Sequence, residues 1–150
     1  MNNETDEEYI LSLLNIKNRE ALYEMKKYIQ HGSTTTYDHS VRVACKCIEL
    51  NRRFNLHADE RRLAEIGMLH DLYLYDWHVP SDTHRLHGFY HPRKAADNAR
   101  RIYNIDDKSY RSILTHMWPL TITRVPNGKE AWILCICDKI VSTAETLKRK

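Results

Sequence analysis

With 150 residues, 42% of them hydrophobic and 29% charged, the chain can bury one core and is neither disordered nor of low complexity. A net charge of +3 is too small to argue for a nucleic-acid polymer as partner. Four glycines and four prolines, against abundant Glu, Lys, Arg, Leu and Ala, favour helix over sheet, so we expect an all-α fold in a single domain.

The opening MNNETDEEYI has no basic n-region and no apolar h-region, so no signal peptide is expected there. Residues 5–15 and 18–30 read as two short amphipathic helices, with Leu11, Leu14, Leu22, Met25 and Ile29 apolar. We expect this N-terminal part to pack on a core formed by residues 31–150. HGSTTT is a break, and Thr35 with Asp38 resembles a capping box for the next helix. That helix, from about 36 to 54, carries two apolar stripes: Tyr37, Val41, Ala44 and Ile48, then Val43, Cys47, Leu50 and Phe54. Two stripes imply neighbours on two sides, hence a central helix. A helix from Ala58 or Asp59 to about Leu72 follows.

Residues 73–90 read as a long aromatic and histidine-rich loop, a length often reserved for function. His91-Pro92 would open a helix to about Asn104, with proline at its first position. Another helix is expected over 106–117, a loop over 118–128, and a last helix from about Lys129. Within it AWILCIC is apolar enough for a buried strand, but Ile140, Val141, Ala144 and Leu147 continue at helical spacing, so one helix is preferred. The two C-x-C pairs, Cys45/Cys47 and Cys135/Cys137, project roughly 200° apart on a helix and read as reduced core residues. No apolar run approaches a membrane span, and we expect a cytoplasmic protein.

Nine histidines are many for this length. Four of them belong to an ordered series, His39, His70-Asp71, His91, His116 and Asp138, each one helix and one loop from the next. Imidazole and carboxylate are the ligands that borderline divalent metals take, and a helical bundle can bring one from each helix to a common point. Asp138 follows seven apolar residues, and Asp71 ends the apolar GMLHDL stretch. An unpartnered carboxylate in such surroundings costs several kcal/mol (about that order), and a shared cation would satisfy both. His39, His70, Asp71 and Asp138 would hold one ion; His91 and His116 would hold a second, with Asp71 bridging. A single histidine is more often an ordinary core or surface residue, and His31, His57, His84 and His87 are read so, with His78 undecided.

The segments YDHSVRVA, GMLHDLYLYDWH, HPRKAADNA, THMWPL and CDKIVSTAE resemble the HD-domain superfamily of metal-dependent phosphohydrolases over roughly residues 30–147. The resemblance is to its binuclear branch and to small stand-alone bacterial members. It implies an all-α bundle of about six to seven helices with a central metal site. His39 would match the first histidine, His70-Asp71 the doublet, Asp138 the closing aspartate, and His91 with His116 the second-metal pair; His70 and Asp71 would be central to catalysis. Many binuclear members carry a lysine three residues after the doublet; here that residue is Leu74, and no GYP-type motif follows. This departure counts against the cyclic-dinucleotide and oxygenase members.

The expected activity is hydrolysis of a nucleotide or related phosphate ester, using two divalent ions drawn from Fe, Mn, Zn, Co or Ni. Its partner would be a small phosphate-containing molecule. A diiron oxygenase and an inactive nucleotide- or metal-binding signalling module are the alternatives. Arg42, Arg93, Lys94 and Lys139 are candidate phosphate cations, the middle two because the helix opened by His91 would also favour an anion. Tyr75, Trp77 and Trp118, with Tyr73, could line a pocket and stack on a base. Asp76 is a candidate partner for a ligand histidine.

Overall fold

The computed structural model of the chain describes residues 3–79 and 86–148. These residues form seven α-helices and one small hairpin. In chain order they are α1 (Asn3–Leu14), α2 (Glu20–Glu24), β1 (Ile29–His31), β2 (Thr34–Thr35), α3 (Thr36–Arg53), α4 (Glu60–Leu69), α5 (His87–Tyr103), α6 (Asp107–Leu114) and α7 (Lys129–Lys148). The expected all-α bundle is therefore present. The AWILCIC stretch lies wholly within α7. No described helix is long and apolar enough to cross a membrane.

The central helix is α3, as its two apolar stripes require. It packs on α4 and on α7, while α1 covers α3 and α4 from outside. Tyr37, Val43, Ala44, Cys47 and Ile48 are fully or almost fully buried. Phe54 is an exception to the expected stripe: it lies just past the helix end, 60% exposed, with Arg53 over its ring. Cys47, Cys135 and Cys137 are buried free thiols, and Cys45 is half-buried and also free.

Four element boundaries differ from expectation. Helix α4 stops at Leu69 rather than about Leu72. The predicted helix 18–30 ends early. After α2 the chain makes a single 3₁₀ turn over Met25–Lys27, and Tyr28 is extended at φ −108° and ψ 133°. Gly32 at φ +60° then closes the β1–β2 hairpin, which a regular helix could not do. Helix α5 starts at His87, four residues before Pro92's predecessor His91 was expected to open it. Pro92 thus sits in the second turn, leaving the Gly88 carbonyl without a helical N–H. Helix α6 stops at Leu114, so His116 lies in the turn beyond it.

The contact that matters most for the site is between α3 and α4. A Cβ on Gly67 would fall 2.6 Å from Ala44 Cα, closer than real side chains approach backbone. The missing side chain lets the two helices touch, with His39 on one and His70 at the end of the other. Gly67→Ala should therefore destabilise the fold by about 1–3 kcal/mol. Urea denaturation would show this as a lower midpoint at unchanged slope; a variant as stable as the parent would contradict the close packing.

Candidate metal centre

The six residues of the ordered series are delivered by five pieces of backbone geometry. Thr35 caps α3, its hydroxyl accepting the Asp38 N–H at 3.1 Å, and this sets His39 in the first turn. His70 and Asp71 follow directly on the last residue of α4. The chain beyond them is tied to α5 by the Asn98 side-chain amide, which donates to the Leu72 carbonyl at 2.8 Å. His91 projects from the second turn of α5, His116 from the turn after α6, and Asp138 from the middle of α7. All six are buried.

They converge as two sets that share one carboxylate. Asp71 Oδ2 lies 3.5 Å from His39 Nε2 and 3.3 Å from His70 Nε2. Asp138 Oδ1 lies 3.0 Å from His39 Nε2 and 3.4 Å from His70 Nε2. The other oxygen of Asp71, Oδ1, faces His91 Nε2 at 3.1 Å and His116 Nε2 at 3.5 Å. Within each set, ligand atoms lie within 4.8 Å of one another. Ions bonded at about 2.1 Å need their ligand atoms no more than roughly 4.3 Å apart, so the two sets are close to that size.

The proton positions follow from the outer partners. The Nδ1–H groups of His70, His91 and His116 donate to the carbonyls of Gly67 (2.7 Å), His87 (3.0 Å) and Ile113 (2.6 Å). In the neutral rings this leaves the Nε2 lone pairs facing inward. His91 Nε2 and His116 Nε2 are then two acceptors only 3.0 Å apart. His70 Nε2 and Asp71 Oδ1 are buried with no hydrogen-bond partner among the described residues. Opposed lone pairs and orphaned buried acceptors are unfavourable alone. A cation removes the conflict, and nitrogen with carboxylate oxygen is the right donor set for a divalent transition metal. These buried groups can hold metal ions.

The buried groups also set one another's charge: for His70 burial is outweighed by Asp71 and Asp138, which raise its pKa, so a metal at His39 and His70 would displace a proton from each. Burial pushes the Asp71 and Asp138 carboxyls up, yet the surrounding imidazoles outweigh it and hold both well below the usual carboxylate range. Both carboxylates are therefore ionised. Burial likewise lowers the His39 pKa, but its bonds to Asp138 and Glu145 overcome this and carry it up to about 9. His116 is lowered, first by burial and then by the neighbouring His70 and His91.

A cleft of about 620 Å³ opens onto this centre. Asp71, His91 and Asp138 are part of its lining, with Gln30, Trp77 and His87 among the others. Of the expected pocket aromatics Trp77 lines the cleft; it stacks on His87 (5.0 Å, 13°), and His87 in turn stacks on His91 (4.5 Å, 17°). Tyr75 is one step removed, its hydroxyl 2.7 Å from His87 Nδ1. Trp118 does not line the cleft; it packs edge-on against Trp132 at 5.2 Å.

The expected phosphate cations are largely elsewhere. Lys139 lines the cleft, but its ammonium donates to the His116 carbonyl (3.1 Å) and the Cys135 carbonyl (3.3 Å). Arg42 pairs with Glu145 at 3.0 Å and lines a different cavity, between α1, α3 and α7. Arg93 and Lys94 are not at a helix start, because α5 begins at His87, and they line a second cavity. Asp76 reaches His78 at 3.3 Å on the surface rather than a ligand histidine. His84 lies outside the described residues.

Four residues that the sequence reading passed over or took as ordinary, Gln30, His31, His87 and Glu145, belong to the site. Gln30 donates from its side-chain amide to Asp71 Oδ2 at 2.9 Å, and Tyr73 donates to its oxygen at 2.7 Å. Glu145 accepts the Nδ1–H of His39 at 2.9 Å. His31 and His87 line the cleft. Glu145 alone was readable: it lies seven residues after Asp138, on the same buried stripe of α7. Comparison of the chain with protein-family models, with curated proteins and with solved structures finds no match.

Mn²⁺ or Zn²⁺ added to chelator-treated protein should raise its melting temperature. Glu145→Ala removes the acceptor that orients His39, and should weaken metal binding about 10–100-fold. A thermal melt reads the first effect and calorimetric titration the second; unaltered affinity in the variant would deny Glu145 an orienting role.

Proposed function

We propose that this chain is a metal-dependent phosphohydrolase of HD type, acting on a nucleotide or related phosphate ester. The observation that carries the reading is the division of Asp71, with one carboxylate oxygen turned to each of two buried ligand sets. Two ions sharing a carboxylate would supply Lewis acidity for attack of water on phosphorus, the task for which paired metal sites are suited. Fe, Mn, Zn, Co and Ni all suit the donors.

The chain's own residues would act as follows. His39, His70, Asp71 and Asp138 hold one ion, and Asp71, His91 and His116 the other. The Gly67, His87 and Ile113 carbonyls and the Glu145 carboxylate keep each imidazole in the tautomer that turns Nε2 inward. Gln30, held by Tyr73, fixes the rotation of Asp71 so that its oxygens stay divided. Burial strengthens every one of these interactions by excluding water. Trp77 and His87 line the cleft beside His91, where the organic part of the ester would lie.

Protein purified without chelator should contain transition metal, and a screen of phosphorylated metabolites with Mn²⁺ or Fe²⁺ should find phosphate release. Asp71→Ala should abolish that release and lower metal content in the same preparation. Undiminished turnover in the variant, or a metal-loaded protein that releases phosphate from none of the panel, would remove the proposal.

A further inference from the structure

A second cavity, of about 1120 Å³, lies against the other side of α5. Gly88 and His91 of that helix line the metal cleft, while Phe89, Tyr90, Arg93 and Lys94 line the second cavity. Leu120 lines both. Its side chain sits on Gly88, where an added Cβ would come within 2.9 Å of Leu120 Cδ2. One exposed leucine over one glycine is thus a common boundary of the two spaces.

The two spaces differ in charge. The lysine of the metal cleft is committed to backbone carbonyls, and the Tyr75 hydroxyl occupies His87 Nδ1. The second cavity is lined by three cations, Arg93, Lys94 and Arg124. Among the described residues none of the three forms an ion pair. The one carboxylate in the lining, Asp97, accepts the Tyr110 hydroxyl at 2.7 Å. Two polar atoms of the same lining, Arg124 Nη1 and Thr121 Oγ1, are buried without a hydrogen-bond partner among the described residues. A guanidinium donor in that state is costly unless an acceptor reaches it. Phe89 and Tyr90 stay 43% and 58% exposed beside it, although both are aromatic. Unpaired cations next to exposed aromatic faces are the chemistry that recognises an anionic group on a flat organic body.

We infer that this cavity is a second substrate subsite, and that the substrate is an organic phosphate carrying a further anionic group beyond the one at the metal centre. The inference rests on the phosphohydrolase reading for the direction of the substrate, with its reacting phosphate on the Asp71 side of Leu120. Arg93, Lys94 and Arg124 take the distal anion, and Phe89 and Tyr90 take the flat part of the molecule. The metal centre can neutralise only the reacting phosphate; the distal cavity supplies the charge for the rest.

The test uses the full chain with its metals and three probes: inorganic phosphate, adenosine monophosphate, and an adenosine bisphosphate with one phosphate on each side of the ribose. Calorimetry should show the bisphosphate binding about tenfold or more tightly than the monophosphate. Lys94→Gln, on the exposed surface of α5, and Arg124→Gln should each weaken the bisphosphate about tenfold and inorganic phosphate by less than twofold. Circular dichroism and melting of each variant separate a lost contact from a lost fold. Equal binding of the two nucleotides, no binding of either, or indifference to Lys94→Gln would overturn the inference. Phosphate release in the same samples is the independent readout. Hydrolysis of simple esters with an indifferent second cavity would sink the subsite alone. Charge-dependent bisphosphate binding without any hydrolysis would sink the phosphohydrolase reading and leave the cavity as an anion site.

Discussion

Everything in this molecule is arranged around a buried carboxylate with two faces. Asp71 is 2% exposed and ionised, at a depth where a lone charge would cost several kcal/mol (about that order). Its two oxygens look toward different groups of imidazoles. No packing of apolar side chains could take its place without abandoning that division. The helices surrounding it are the means of holding five further polar groups at the same depth.

Holding them requires a second layer of contacts that are nearly all local. Three of the four histidines fix their outer nitrogen on a carbonyl three or four residues earlier in their own chain segment. Such bonds need no distant partner, so the ring orientation is established as each helix forms. His39 is the exception, because its outer nitrogen meets Glu145, 106 residues away, which Arg42 holds in turn. That chain of contacts couples the first turn of α3 to the last turns of α7. The hairpin adds the remaining tie: it brings Gln30 to Asp71, and Tyr73 and Thr36 surround the amide. A regular helix through residues 28–31 would carry Gln30 elsewhere, which gives the break in the N-terminal helix a purpose at the centre.

The two cavities beside α5 differ in how their positive charge is held. The one lysine in the cleft beside the buried His/Asp centre ties the α6–α7 loop to α7 through the His116 and Cys135 carbonyls. Free positive charge is instead held behind Leu120: Arg93 and Lys94 lie exposed to solvent, where an unpaired charge costs little, whereas Arg124 keeps a buried nitrogen without a partner among the described residues.

The helical bundle, the centrality of α3 and the six residues that converge beside it were legible from the sequence alone. Hydrophobic stripes repeat at helical spacing, and a carboxylate such as Asp138 inside an apolar run advertises that something must neutralise it. Glu145 carried the same signal at the same spacing and was passed over. Gln30, His31 and His87 carried none, because polar residues in predicted helices and loops look alike until the chain is folded. The cations show the limit most plainly. Arg42, Arg93, Lys94 and Lys139 are all positive in the sequence, yet one is paired to Glu145, one is bound to carbonyls and two face a different cavity. Composition and periodicity determine what a residue is and which face of its helix it occupies. Only tertiary structure decides which charges meet, since that depends on where α5 begins, on the closeness that Gly67 permits and on which loop closes over which helix.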